Sequence, residues 1–421
     1  MSIPLDRLYN FVDSLCDHDV LIYRFFPHGS KKLEHLTSLH NHKPDWYLNM
    51  TTPSMICHDQ EPLKYDLYNE DDFRSAWNSL SAIASDAAVE IKKHMHIRSV
   101  TLYPFNAYDL TMLCHSEKNS KQLSLYQANG FVGVYWWSHG IIAQDWFRFA
   151  EHDPLLTVQN IKHDFLIYNR AWSGTREYRL KFVEQLLNQD LLPYCKTSFS
   201  KIDNKVAYTD HQFSNPQFKI DRTDIEHHIA PNHTNAESSA DYESLDYQTS
   251  AIEVVLETLF DDQRWHLTEK SLRPIACGRP FILAATPGSL QYLRSYGIKT
   301  FDGLIDESYD NIQDPVLRIT AIINEMKRIA MLSPAQKKAL WDQLYQIAKQ
   351  NQVLFFSDDW SKKITQELKH NIDNALKIMQ SNRTGKFWKQ LLINQPIPIR
   401  NGFRSDSDKD KLERWIESST N

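Results

Sequence analysis

The stretch TEKSLRPIACGRP, residues 268–280, decides the fold that we predict for this chain. A threonine followed by acidic and basic residues is typical of the start of an α-helix, with Thr268 as its N-cap. Gly278 predicts the end of that helix, and the apolar run at residues 281–285 predicts a β-strand. We therefore expect a helix that leads directly into a buried strand, as in α/β folds.

Short apolar runs alternate with helical patterns along the rest of the chain. The runs that predict strands are residues 20–26, 54–57, 99–103, 110–114, 131–135, 165–168 and 251–259. Helices are predicted over residues 72–93, 138–150 and 175–187, from a capping box at Ser333 towards residue 350, and again after residue 357. The polar stretch 226–248 predicts a long loop. Strands that alternate with helices favour a parallel sheet.

Composition and charge narrow the class of protein. Hydrophobic residues make up 42% and charged residues 24% of the 421 residues, as in ordinary globular proteins. The net charge of −6 gives no support for nucleic-acid binding by the chain as a whole. The five cysteines are widely spaced without a CxxC pair, and no apolar run is long enough to cross a bilayer. We therefore expect a soluble, cytoplasmic protein with reduced thiols, no signal peptide and no transmembrane segment.

The first turn of the helix predicted at Thr268 can hold phosphate. Unpaired backbone N–H groups and the positive end of the helix dipole attract anions at this position. Lys270 would add a point charge for a diphosphate, and Glu269 can accept hydrogen bonds from sugar or ribose hydroxyls. The same residues are also typical of an ordinary capped helix with a solvated surface. The sequence leaves both interpretations open.

Two arginines follow the strand predicted at residues 165–168. Ligands of open α/β sheets bind beyond the carboxyl ends of strands, and Arg170 at such an end can form a bidentate pair with a pyrophosphate. Arg176 opens the next helix and can assist, although a surface salt bridge is the alternative for both. The loop contains neither GxGxxG nor GxxxxGK, so we predict no dinucleotide or ATP site of the usual kind.

Three features together resemble the donor-binding motif of α1,3-fucosyltransferases. They are Glu257, the triplet that begins at Thr268, and the step from Gly278 to Pro280 into an apolar strand. The resemblance implies a nucleotide-diphosphate sugar as the donor. It implies that Glu269 and Lys270 contact that donor, with Thr268 at the helix start and Glu257 as a further contact.

The resemblance covers about 30 of the 421 residues. Thr258 and Leu259 stand where the family has Asn-Ser, and Trp265 and His266 stand where it has Asp-Tyr, which leaves the sugar and the base open. Residues 305–310 are similar to glycosyltransferase-like proteins of bacteriophages and bacteria.

The resemblance implies an α/β protein with two Rossmann-like domains that face each other across a cleft, the GT-B arrangement. We expect the acceptor-side domain at residues 1–160 and the donor-binding domain at residues 161–355. Residues 356–421 would form C-terminal helices that cross back, and a basic, polar tail. No metal or cofactor is predicted, because neither Asp-x-Asp sequence, at Asp17 or at Asp406, follows a predicted strand. A helix terminus and basic side chains would then offset the charge of the leaving diphosphate.

The segment HDQEP after the second predicted strand gathers ionisable groups. A general base must take the proton of the acceptor hydroxyl, and either Asp59 or Glu61 can do so, with His58 as an orienting partner or a substitute. A turn that caps the next helix is the alternative. His28 and His139 also follow predicted strands and are expected to line the acceptor side, although each is also typical of a structural histidine.

These observations predict an inverting, metal-independent glycosyltransferase that moves a sugar from a nucleotide-diphosphate donor to an acceptor hydroxyl. One candidate acceptor is a hydroxymethylated pyrimidine in DNA, as in phage-type DNA glycosyltransferases. The basic, aromatic residues between Lys377 and Arg404 favour it. A surface polysaccharide or another glycan is the alternative acceptor, and a non-catalytic nucleotide-sugar-binding protein is the alternative function. The oligomeric state is left open.

Overall fold

A computed structural model describes residues 21–24, 54–58, 111–115, 132–135, 137, 140, 143, 160–231, 242–262 and 264–382. Within these ranges the chain is a mixed α/β protein built on parallel sheets, as predicted. The predicted helix 72–93 and the predicted strand 99–103 lie outside the described residues. Of the predicted helix 138–150, only Gly140 and Ala143 are described, and both are helical.

The first sheet has four strands in the order β1-β2-β3-β4. They are β1 (Leu21–Arg24), β2 (Ser54–His58), β3 (Thr111–His115) and β4 (Val132–Tyr135). All neighbours are parallel, and each strand lies within a residue or two of a predicted one. The alternation of apolar runs with longer connections therefore predicted this sheet correctly.

The second sheet also has four parallel strands, in the order β10-β9-β5-β6. They are β5 (His163–Ile167), β6 (Cys195–Thr197), β9 (Ser250–Leu256) and β10 (Phe281–Ala284). A small antiparallel hairpin, β7 (Ile202–Asp203) and β8 (Val206–Ala207), follows β6. Every residue of β9 and β10 is buried, as expected for parallel strands that are covered on both faces.

The strand order places a switch point in the second sheet. From β5 the chain moves outward to β6 on one side, and then returns to form β9 and β10 on the other side. Connections leave β5 and β9 in opposite directions, and in open α/β sheets a crevice forms at such a point beyond the carboxyl ends of the strands. Open α/β sheets bind their ligands in this crevice.

The helices of the described ranges are α1 (Tyr178–Asn188), α2 (Ile225–His228), α3 (Ser244–Thr249), α4 (Glu269–Ala276), α5 (Ser289–Ser295), α6 (Pro315–Ala330), α7 (Pro334–Phe355) and α8 (Asp358–Asn382). The capping box at Ser333 is confirmed by reciprocal hydrogen bonds with Gln336, and its helix α7 runs five residues past the predicted end at residue 350. The helix predicted at residues 175–187 is confirmed as α1, preceded by a 3-10 turn at Gly174–Arg176.

The prediction of a loop over residues 226–248 is wrong at both ends, where the chain is helical. The first end belongs to α2 and the second to α3. Ile225 and Tyr247 are buried in the core at these ends, at 0% and 1% exposure. Tertiary burial therefore orders helical turns in a stretch whose composition favours a loop.

Helix α4 is fixed to β9 by a buried polar network. The Arg273 guanidinium of α4 is paired with the Glu253 carboxylate of β9, and the Tyr247 hydroxyl donates a hydrogen bond to the same carboxylate. Arg273 Nε also donates to the Tyr247 hydroxyl at 3.1 Å. Because both charges are buried, each depends on the other for compensation. The network therefore fixes the last turn of α4 to β9.

Contacts group the described residues into two units. One unit contains the second sheet and continues to Lys363, and the other contains the first sheet and α8 from Ile364 onward. The domain boundaries predicted at residues 160 and 355 stay predictions. In the part of the chain that the structure describes, no helix has the length and apolar character needed to span a bilayer.

Candidate ligand site at the carboxyl edge of the second sheet

Glu257 directly follows β9 and is completely buried, with 0% of its surface exposed. Its Oε1 accepts hydrogen bonds from the backbone N–H groups of Thr268 at 2.9 Å and Ser271 at 3.2 Å. The hydroxyls of both residues donate to the same carboxylate, that of Thr268 at 2.9 Å. The carboxylate thus closes the first turn of α4 against the end of β9.

This geometry gives Glu257 a positioning role. A negative charge at a helix N-terminus is stabilised by the helix dipole and by N–H donors. The carboxylate itself uses the N–H groups of Thr268 and Ser271 that the sequence interpretation assigned to a phosphate. The resemblance implied a donor contact for Glu257, and that contact stays a prediction. Besides the start of α4, the carboxylate accepts one further hydrogen bond, from the Thr258 N–H at 3.0 Å.

Thr268 caps α4 as predicted, because its hydroxyl accepts a hydrogen bond from the backbone N–H of Lys270. The Lys270 ammonium lies 2.7 Å from the Glu269 carboxylate and 3.2 Å from the Thr268 hydroxyl. Glu269 is buried at 2% exposure, whereas the Lys270 side chain is 14% exposed. The three predicted residues therefore form one cluster at the start of α4, with the Lys270 side chain partly exposed.

Gly278 ends the helix as predicted. Its φ of +62° lies in the left-handed region that favours glycine. A Cβ atom at this position would lie 3.0 Å from Oε1 of Gln352 on α7, so both the backbone and the packing require a glycine. The short helix α4 is thus fixed at both ends.

Arg179 of α1 connects the loop after β5 to the end of β9. Its guanidinium donates to the carbonyl oxygens of Ala171 at 2.7 Å, Leu256 at 2.5 Å and Glu257 at 3.1 Å. Tyr178 adds a hydrogen bond of 2.6 Å to the Glu257 carbonyl. The carboxyl edges of β5 and β9 therefore converge on α1. Sequence reasoning missed Arg179, because a second arginine soon after Arg176 gives no sign that it is buried.

The loop after β5 is held from its other side by Asp203 of the hairpin. Its carboxylate accepts hydrogen bonds from the backbone N–H groups of Trp172 at 2.8 Å and Ser173 at 2.7 Å. Arg170 and Arg176 flank these two residues, and both side chains are partly exposed. The two predicted arginines therefore lie beside a loop whose backbone is fixed at the carboxyl edge of the second sheet.

We expect Asp203→Asn to destabilise the loop in a pH-dependent way. Burial alone would raise the pKa of the Asp203 carboxyl, but hydrogen bonds from Ser173 and Trp172 and the charge of Arg176 hold that pKa below its usual value of 3.8. A lowered pKa in the folded state stabilises the protein above the unfolded pKa, and this stabilisation disappears as pH falls through the folded pKa. The variant should lose about 1 kcal/mol at pH 7, and its difference from wild type should shrink below pH 3.8.

Urea unfolding of both proteins between pH 7 and pH 2 measures this difference. Asp342→Asn is the matched control, because that carboxylate pairs with Lys338 on the exposed face of α7. A difference for Asp203→Asn that stays constant over the whole pH range would contradict the assigned role of the carboxylate.

Most of the predicted catalytic and acceptor residues lie outside the described residues. His58 is the last residue of β2, and its backbone is in register with His115, the last residue of β3. Asp59, Glu61, His28 and His139 lie outside the described residues. Among the residues that are described, no three His, Cys, Asp or Glu side chains cluster as metal ligands would.

No protein-family model, curated protein or solved structure matches this chain. What the site can do is therefore inferred from its own residues.

Proposed function

We propose that this chain is a cytoplasmic glycosyltransferase that uses a nucleotide-diphosphate sugar as its donor. One observation carries the proposal. The cluster of Thr268, Glu269 and Lys270 is fixed by the buried Glu257 carboxylate at the end of β9, on one side of the switch point of a parallel sheet. This is the position at which α/β sheets bind phosphorylated ligands.

The charges around this edge suit a leaving diphosphate. The Lys270 side chain is 14% exposed, and its ammonium is held by Glu269 and Thr268, so it is oriented before a ligand arrives. Arg170 and Arg176 would add positive charge from the loop after β5. In the transfer step, the acceptor oxygen forms a bond to the anomeric carbon of the sugar while the bond from that carbon to the diphosphate oxygen breaks. Cations at the diphosphate stabilise the charge that develops there.

We further propose the GT-B arrangement of two Rossmann-like domains, with the donor bound by residues 161–355 and the acceptor by residues 1–160. The acceptor proton would pass to Asp59 or Glu61, with His58 orienting the base or replacing it. His28 and His139 would contact the acceptor. The reaction would proceed with inversion and without a metal, because the basic side chains of Lys270, Arg170 and Arg176 would supply the positive charge.

The acceptor that we propose is a hydroxymethylated pyrimidine in DNA. Its support is the run without acidic residues from Lys377 to Arg404, where Phe387, Trp388 and Phe403 stand among basic residues. Residues 305–310 add the likeness to phage proteins. Salt-sensitive DNA binding would support this acceptor, whereas its absence would favour a surface polysaccharide or another glycan.

A thermal-shift panel of GDP-, UDP- and CMP-linked sugars tests the donor. A ligand that binds only the folded protein stabilises it by about 2.7 kcal/mol at a concentration of 100 Kd, so at least one donor should raise Tm by several degrees. The free monosaccharides serve as controls and should have no effect. If no nucleotide sugar changes Tm, the donor site does not exist. If one binds and no acceptor is ever modified, the chain is a non-catalytic nucleotide-sugar-binding protein.

A further inference from the structure

Asn169 has a buried polar side chain that makes no hydrogen bond within the part of the chain that the structure describes. It lies two residues after β5, and only 1% of its surface is exposed. Neither its amide oxygen nor its amide nitrogen has a hydrogen-bond partner among the described residues. The neighbouring Tyr168 hydroxyl, by contrast, donates to Asp246 at 3.3 Å and accepts from the Glu243 N–H at 3.2 Å.

A buried primary amide without partners is costly, because it loses the hydrogen bonds that it makes to water in the unfolded chain. Most buried polar groups in folded proteins are bonded, and the exceptions concentrate where a ligand or an ordered water completes the site. Asn169 is therefore expected to gain partners when the site is filled.

The position of Asn169 ties it to the candidate ligand site. Leu166 is in register with Glu253, so Asn169 comes level with Leu256, the last residue of β9. The Arg179 guanidinium holds the carbonyls of Ala171 and Leu256 at 2.7 Å and 2.5 Å, which keeps the two chain segments together just beyond Asn169. The backbone of Asn169 thus lies at the switch point, level with the end of the strand that leads to Glu257.

The chemistry of the amide limits what it can bind. It offers two N–H donors and an acceptor oxygen, whereas a phosphate oxygen only accepts and would leave the amide oxygen unsatisfied. A hydroxyl group both donates and accepts, and can satisfy both ends of the amide. We infer that Asn169 binds a hydroxyl of the nucleotide-sugar donor, on its ribose or on the transferred sugar. This inference rests on the proposed function.

The test compares two buried asparagines. Asn169→Leu replaces the unpartnered amide by an apolar group of similar size. It should leave the Tm of the free protein unchanged or raise it by about 2–4 °C. The affinity for the donor should fall about ten- to a hundredfold. Asn351 is the matched control, because it is 2% exposed and its amide is bonded to the Lys299 N–H at 2.9 Å and carbonyl at 2.7 Å. Asn351→Leu should lower Tm and leave the affinity unchanged.

Calorimetric titration with UDP-glucose, GDP-mannose, UDP, GDP and their 2′-deoxyribose forms separates the two sources of the hydroxyl. Loss of affinity for the nucleotide sugar alone places the contact on the transferred sugar. The contact lies on the ribose if Asn169→Leu loses as much affinity for the free nucleoside diphosphate as for the nucleotide sugar, and loses none for the 2′-deoxyribose form. Both results support the inference.

Two results overturn the inference while leaving the proposed function intact: wild-type affinity in Asn169→Leu, or a fall in its Tm as large as that of Asn351→Leu. If the wild-type protein binds none of these probes, the proposed donor site does not exist, and the inference about Asn169 is then also wrong.

Discussion

Glu257→Ala should lower the free energy of unfolding by about 3 kcal/mol, because it leaves several buried donors without an acceptor at once. The backbone N–H groups and hydroxyls of Thr268 and Ser271 all donate to this one carboxylate. Each buried donor that loses its partner costs about 1–3 kcal/mol, although local relaxation and entering water recover part of the sum. Urea unfolding measures the loss, which should lower Tm by roughly 6–12 °C.

Glu257→Gln provides a graded comparison. It keeps the side-chain shape and one acceptor oxygen, but it presents an N–H group to donors, so an intermediate loss of stability is expected. Asp342→Ala on the exposed face of α7 is the control and should stay within about 0.5 kcal/mol of wild type. A Glu257→Ala protein as stable as wild type would mean that the carboxylate does not hold α4.

The local elements around this site could be predicted from the sequence because their signals are local. Thr268 begins a helix because a threonine hydroxyl can accept a hydrogen bond from a backbone N–H group in the first turn. Gly278 ends it because the left-handed conformation favours glycine. The apolar run at residues 281–285 predicted β10, because a short apolar run that follows a glycine and a proline is typical of a buried strand.

The contacts that define the site could not be predicted, because they join distant parts of the chain. Glu257 and Ser271 are 14 positions apart, and Arg179 bonds to a carbonyl 77 positions away. The resemblance suggested that Glu257 contacts the donor, whereas the observed partners of its carboxylate are Thr258, Thr268 and Ser271. Asn169 could not be identified as a binding residue from the sequence, because burial without a hydrogen-bond partner has no signature in a single sequence.

Lys270→Ala should weaken nucleotide-sugar binding about ten- to a hundredfold. Hydrogen bonds to charged groups contribute about 1.5–3 kcal/mol, and Lys270 places a partly exposed cationic side chain at the start of α4. Lys270→Arg keeps the charge and should retain more of the affinity. Because Glu269 is 2% exposed and pairs with this ammonium, the alanine variant should also lose some stability. Affinity is therefore measured by calorimetric titration well below the Tm of each variant.

The most direct measurement is the titration of the nucleotide sugar that stabilises the wild type into wild-type, Lys270→Ala and Lys338→Ala proteins. Lys338 forms an exposed pair with Asp342 on α7, so its loss removes the same charge at a distance from the proposed site. We expect the nucleotide sugar to bind the wild type and Lys338→Ala saturably and with equal affinity, and to bind Lys270→Ala at least tenfold more weakly. Equal affinity in all three proteins, or no binding to the wild type, would contradict a donor site at the carboxyl edge of the second sheet.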